Sequence, residues 1–223
     1  MNALQSGWSW LISGQNWQGA DGITTRLIQH LGYAGISFLI AALIALPVGM
    51  LIGHTGRASF AVTSLANFGR ALPTLGLVIL AFMLSNASQV AVFVPLIVLA
   101  IPPILVNTYE GILGVDPAAK DAAAGMGKSG SQSLLRVEVP AALPLIMLGL
   151  RTAAIQVVST ATIAAAISFG GLGRFIVDGL ANNDYAMVAG GAMVVVLLAL
   201  AVQLVFTVAG RLIVPAGLRK AAK

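Results

Sequence analysis

The sequence predicts an all-α integral membrane protein with about five transmembrane helices. Of its 223 residues, 58% are hydrophobic and only 9% are charged, and the mean hydropathy is +0.96. A soluble domain carries about 25% charged residues. The apolar residues gather into runs near the roughly 20 residues that cross a bilayer core of about 30 Å. The basic residues stand at the ends of those runs, so the net charge of +5 suits membrane orientation better than nucleic-acid binding. One compact membrane domain is the simplest organisation. The chain has no cysteine, so no disulfide and no thiolate metal site is expected, and no metal site is assigned.

Residues 1–30 read as an extracytoplasmic or interfacial segment. Trp8, Trp10 and Trp17 sit among Ser, Gly, Gln and Asn, and tryptophan favours the headgroup layer. A loose terminus with chance aromatics is the competing reading. A signal peptide is not expected, because the segment has neither a basic start nor a continuous apolar core. Arg26 and His30 precede the first run.

The membrane domain covers 31–209. Leu31 to Gly53 is the first span, with a kink expected at Pro47. The second is awkward, since Leu72 to Leu84 is too short to cross alone. Extending it back to Phe60 brings Arg70 towards mid-membrane, at a cost of about 2.5–3.5 kcal/mol against lipid. A helix broken near Ala71 to Thr74 by Pro73, with Arg70 in a protein-lined or watery pocket, resolves the conflict. Gln89 to Tyr109 is the third span, bent at Pro95 and at Pro102-Pro103. Leu145 to Ser168 is the fourth and Ala186 to Ala209 the fifth. Residues 210–223 form a basic tail with Arg211, Arg219, Lys220 and Lys223.

The stretch from Asp116 to Pro144 is the longest charge-bearing insert. It reads as two short helices. Asp116 caps the first, with Pro117 at its first position. Gly125 and Gly127 end it or admit another backbone. Ser129 and Gln132 make a capping box for the second, and Leu134 and Leu135 give it an apolar edge. Pro140 and Pro144 close the segment. Ala119, Ala123 and Gly127 lie four apart and share a helical face. That small-residue stripe either serves tight packing within the chain or lets a partner approach.

With five spans, alternate loops fall on opposite sides. One side collects Arg57, Lys120, Lys128, Arg136 and the tail, and the other only Arg26 and Arg174. The richer side is expected in the cytoplasm, together with loop 116–144 and the C-terminus, leaving the N-terminus outside.

No catalytic site is expected. The two histidines, His30 and His54, fall on opposite faces of this topology, which hinders a Ser–His arrangement. None of the carboxylates sits deep in an apolar run, so a proton relay has no obvious residues. Gly170, Gly171 and Gly173 lack the Lys-Ser/Thr of a phosphate loop. Two readings of these glycines stand, a helix stop or part of an outer mouth. In the fourth span Thr152, Gln156, Ser159 and Thr160 form a polar stripe, which either packs helices or lines a path. Arg151 lies about 9 Å from the inner end, where it snorkels or lines a cavity.

Loop 116–144 carries a resemblance to a known family. Asp121-Ala122-Ala123, then Gly127, then Val137-Glu138-Val139-Pro140 nine residues later, is similar to the E-A-A-x3-G-x9-I-x-L-P pattern of permease subunits in bacterial ABC importers. Asp stands for Glu, and Val for both Ile and Leu. The stretches VNTYEGILGVDPAAKDAAAGMG, RVEVPAALPLIMLGLRTA and ATIAAAISFGGLG resemble the permeases of osmoprotectant importers for glycine betaine, choline and carnitine. The resemblance implies a type I ABC importer permease fold in the bacterial inner membrane. It implies a cytoplasmic coupling loop in which Asp121, Ala122, Ala123, Gly127, Leu134, Leu135, Val137 and Pro140 dock the ATPase. It also implies a path between two permease subunits, the second a copy or a related chain. Two ATPase subunits would hold ATP and Mg, an extracytoplasmic binding protein would deliver the solute, and this chain would hold no cofactor. Methionine or another amino acid is the alternative cargo. An ion-driven carrier or channel is the alternative class, and it lacks its expected intramembrane carboxylate and two-fold repeat.

Overall fold

Apolar sequence of this length can leave no backbone group unpaired in a bilayer, and helices satisfy that need internally. The computed structural model describes residues 2–57, 59–71, 73–86, 88, 90–215 and 217–218, with the side chains at 59, 63, 66 and 68–70 outside the description. Its helices are α1 (Ala3–Ile12), α2 (Ile23–Thr55), α3 (Ser59–Ala71), α4 (Thr74–Leu84), α5 (Val90–Leu113), α6 (Pro117–Gly125), α7 (Gly130–Ser133), α8 (Val139–Thr160), α9 (Gly173–Ala181) and α10 (Tyr185–Ile213). Among the described residues, four helical stretches are long and apolar enough to cross a membrane: Ile23–Thr55, Val90–Leu113, Gly130–Ile167 and Tyr185–Ile213.

The expected second span is two helices. α3 ends at Ala71 and α4 begins at Thr74, with Pro73 extended at φ −72° and ψ 105°. Proline cannot donate to the preceding turn and disfavours helix in the residue before it. The Arg70 side chain, and Arg219, Lys220 and Lys223 of the tail, lie outside the described residues.

Two boundaries differ from the sequence reading. The first long helix starts at Ile23, eight residues before Leu31, so Arg26 and His30 lie inside it. These polar residues are tolerated there because each is partnered: Arg26 pairs with Asp21, and His30 bonds to backbone on either side. Pro140 and Pro144 do not close a segment. The chain stays helical from Gly130 onward, and a π turn at Leu134–Glu138, with Val139 N–H bonded to Leu134 O, comes just before Pro140. The wider turn lets the helix continue where the proline ring would crowd the carbonyl four residues back. The third long helix, the expected fourth span, tightens to a 3₁₀ turn at Ala161–Ile167 and stops at Ser168 as expected, with that residue left-handed at φ 65°. The helix stop is therefore a serine, and the glycines after it do other work.

The chain divides into two compact units. The first comprises Met1–Leu39, Leu72–Leu99 and Ala154–Val202. Its core gathers Leu11, Ile23, Leu172, Phe175 and Val194. The N-terminal segment is packed into it rather than loose: Leu11 is buried, and the Trp10 ring meets Phe175 edge-on at 5.1 Å. A side chain at Gly190 would run into that Trp10 ring. Trp8 and Trp17 remain exposed.

The second unit comprises Ile40–Ala71, Ala100–Ala153 and Gln203–Lys223. Ile112, Ala142 and Ile146 are its buried cluster, joined by Leu46, Met50 and Leu134. Here α2 presses on α5 through Gly49 and Gly53. A Cβ on Gly49 would stand 2.9 Å from Thr108 Cβ, and one on Gly53 2.7 Å from Ile112 Cβ. Glycines four apart remove the side chains that would hold two membrane helices apart.

Candidate functional site

Loop 116–138 belongs to the second unit, and local chemistry dictates its form. Asp116 accepts the N–H of Ala118 at 2.9 Å, with Pro117 first in α6. At the other end Gly127 N–H bonds to Ala124 O at 2.9 Å and Lys128 N–H to Ala123 O at 3.1 Å. These two bonds make a Schellman closure, in which the residue after the cap must be left-handed. Gly127 supplies that conformation at φ 74°. Ser129 and Gln132 then form the predicted capping box.

The loop is braced from two sides. Lys120 Nζ donates to Ile112 O at 3.1 Å, a cation on the carbonyl end of α5. Glu138 is 1% exposed, and His54 Nδ1 stands 2.9 Å from both its oxygens. Ser133 Oγ donates to the same carboxylate at 3.1 Å. A carboxylate only accepts, so His54 carries its proton on Nδ1. Neither Glu138 nor His54 stands out as a site residue in the sequence. Glu138 falls at a variable position of the motif, and burial by a residue 84 positions away leaves no local trace.

The predicted coupling residues divide by exposure. Asp121 and Ala122 are exposed, while Ala123 is fully buried and Ala119 half-buried. The face shared by Ala119 and Ala123 thus packs within the chain. Gly127 lies beyond the end of α6, exposed, and a Cβ added to it would meet nothing within 4 Å. Of the two readings of the small-residue stripe, packing within the chain holds for Ala119 and Ala123, and Gly127 does not share their helical face. Leu134 faces the buried cluster, and Val137 and Pro140 are half-buried. Leu135 at 63% and Met126 at 68% exposure present apolar surface outward.

The path candidates lie on α8. Thr152 and Ser159 are exposed, and Gln156 and Thr160 half-buried. The Thr152 hydroxyl bonds to Leu148 O of its own helix at 2.9 Å. Arg151 lines a cleft of about 380 Å³ with Leu148, Thr207 and Arg211.

The glycines after Ser168 pack in the first unit. Gly171 and Gly173 are buried and Gly170 half-buried. Gly171 N–H donates to Gln29 Oε1 at 3.0 Å, and Leu172 N–H to His30 Nδ1 at 3.4 Å. His30 in turn donates from Nε2 to Val158 O at 2.9 Å. A Cβ on Gly173 would collide with the backbone of Thr162. These glycines allow α9 to start against the preceding turn.

Comparisons with known proteins agree with this architecture. Residues 22–217 match the family described as binding-protein-dependent transport system inner membrane component. The glycine betaine/carnitine/choline transport system permease protein OpuCB of Bacillus subtilis is 33% identical over 86% of this chain and 88% of its own. The osmoprotectant import permease protein OsmY of Salmonella typhimurium is 31% identical over 84% and 80%. Among solved structures, an inward-facing form of the methionine ABC transporter MetNI has a chain with a TM-score of 0.75. It is 21% identical, and the match covers 86% of this chain and 96% of that one. At that identity the likeness concerns the fold alone.

Proposed function

Because the chain belongs to the family of binding-protein-dependent transport system inner membrane components, and is thus a multi-pass permease of an ABC importer in the inner membrane, we propose that it forms the path for a small osmoprotectant such as glycine betaine, choline or carnitine. The cargo reading rests on what the similar permeases are named for. Two permease subunits enclose the path, an external binding protein delivers the solute, and two ATPase subunits hold ATP and Mg and hydrolyse the nucleotide.

The observation that carries the mechanism is the braced loop with an apolar tip. Met126 and Leu135 are exposed, while Lys120, Glu138 and the capped ends hold the backbone beneath them. Exposed apolar side chains on a rigid support suit a partner surface. Asp121 and Ala122 stand on the exposed side of α6 and join that contact, and Leu134, Val137 and Pro140 anchor its base. Gly127 sets the turn between the two helices. Closing of the ATPase pair on ATP then displaces the loop as a body. Moving a two-state equilibrium from 1:99 to 99:1 takes about 5.5 kcal/mol of differential binding, which ATP at the partner interface supplies.

The loop itself carries Lys120, Lys128 and Arg136, and this basic excess supports a cytoplasmic loop and C-terminus with the N-terminus outside. Thr152, Gln156, Ser159 and Thr160 line the path at the facing surface of two permeases, and Gly170, Gly171 and Gly173 shape its outer mouth.

The cargo is tested by complementation. Cells stripped of their own osmoprotectant importers, and given this permease with its ATPase and binding protein, should take up choline, glycine betaine or carnitine under salt stress. Uptake of methionine but none of these would reject the assignment.

A further inference from the structure

A buried carboxylate needs a reason. Glu138 sits at 1% exposure between Val137 and Val139, where a well-packed apolar residue would often be as stable or more so. What a hydrogen-bonded carboxylate offers instead is direction. It must meet its donors in one geometry, because losing one leaves a buried acceptor unsatisfied. Its donors come from two elements: Ser133, at the end of α7, and His54, in the last turn of α2.

Their surroundings link loop and helix more widely. His54 follows Gly53, the residue at which α2 presses on α5. Its Nε2 edge faces Gly130, where a Cβ would stand 3.3 Å away. Both ring edges of one histidine are thus occupied by the base of the loop. Lys120 makes the matching contact to the end of α5. Glu138 itself lies in the π turn, a stretch whose loosened bonding suits a change of local geometry.

We propose that the His54–Glu138 contact is the joint through which displacement of loop 116–138 reaches α2, making His54 and Glu138 positioning residues for transport. The inference rests on the coupling role given to the loop above. With the joint intact, the loop and the ends of α2 and α5 move as one body. With it removed, the ATPase still docks and hydrolyses ATP, but the loop moves without α2.

The test uses the complete importer and the purified permease–ATPase complex. Two double variants, His54→Leu with Glu138→Met and His54→Ala with Glu138→Gln, remove the joint without leaving a buried carboxylate unpartnered. His54→Asn keeps an N–H donor near the place of Nδ1. Solute moved per ATP hydrolysed should fall about tenfold in the double variants, within the usual range of coupling between sites, and stay near wild type for His54→Asn. Hydrogen exchange supplies a readout independent of the solute. In wild type, ATP should alter exchange at both 130–138 and 48–55, and in the double variants at 130–138 only. If either double variant assembles and keeps the wild-type ratio, or if 48–55 still responds in it, the joint is overturned. If 130–138 does not respond in the wild type, the coupling role of the loop fails instead.

Discussion

Lys128 donates its backbone N–H to the carbonyl of Ala123 at 3.1 Å, and that bond fixes the one left-handed residue of the loop. Gly127 stands between them at φ 74°, with open space around its missing Cβ. Its role in the fold is therefore conformational. An L residue in the left-handed region costs roughly 1–2 kcal/mol, with Asn tolerated best. Gly127→Leu should leave the subunit in the membrane, shift the turn and abolish ATPase co-purification and uptake. Gly127→Asn should keep most of both. Equal loss in the two variants, with folding intact, would mean that the glycine is needed for space against the partner.

Leu135 tests the apolar tip. It is exposed in the chain, so Leu135→Asp should leave thermal stability within about 0.5 kcal/mol of wild type. If Leu135 anchors the docking surface, the same change should weaken ATPase binding by at least about 2 kcal/mol, roughly thirtyfold. Titration of the detergent-solubilised permease with purified ATPase measures the binding loss, and a thermal melt of the permease alone measures stability. Unchanged affinity would remove Leu135 from the interface.

Sequence reading succeeds where the cause is local. The caps at Asp116 and at Ser129 with Gln132 are legible because each lies within three residues of the group it satisfies. The break before Thr74 is legible because proline acts on its own turn. The buried state of Glu138 is not, since it depends on His54 from another helix. The early start of α2 is hidden for the same reason. Gln29 and His30 look like a polar flank, yet their partners are Gly171, Val158 and Leu172. The period of Ala119 and Ala123 identifies a shared face without saying which way it turns. Gly49 and Gly53 are a readable signal, four apart in an apolar run, and point to the helix contact that brings His54 to the loop.

Two glycines separate close packing from open space. Gly173→Ala places a Cβ into the backbone of Thr162, whereas Gly210 has nothing within 4 Å. Overpacking typically costs about 1–3 kcal/mol, so Gly173→Ala should lower the thermal midpoint measurably. Gly210→Ala sits inside α10 and should be neutral or stabilising by up to about 1 kcal/mol. A scan of both variants in the same detergent makes the comparison, and an unaffected Gly173→Ala would contradict the packing of α9 on the preceding turn.

Orientation is read by labelling. The native chain has no cysteine, so single cysteines report without background. An impermeant thiol reagent on intact cells should label a cysteine at Asn182, which is exposed after α9, and spare one at Lys128 until the membrane is opened. The reverse pattern would invert the assigned sides and place the loop beyond reach of an ATPase.

The most direct test of the account is ATP-driven uptake in vesicles containing only this permease, its second permease subunit if that is a different chain, and the ATPase. ATP is enclosed with the ATPase side, and the binding protein with radiolabelled choline, glycine betaine or carnitine is added outside. The account predicts accumulation against the gradient that needs both ATP and the binding protein and that Gly127→Leu abolishes. Accumulation driven by an ion gradient with no ATP would contradict it.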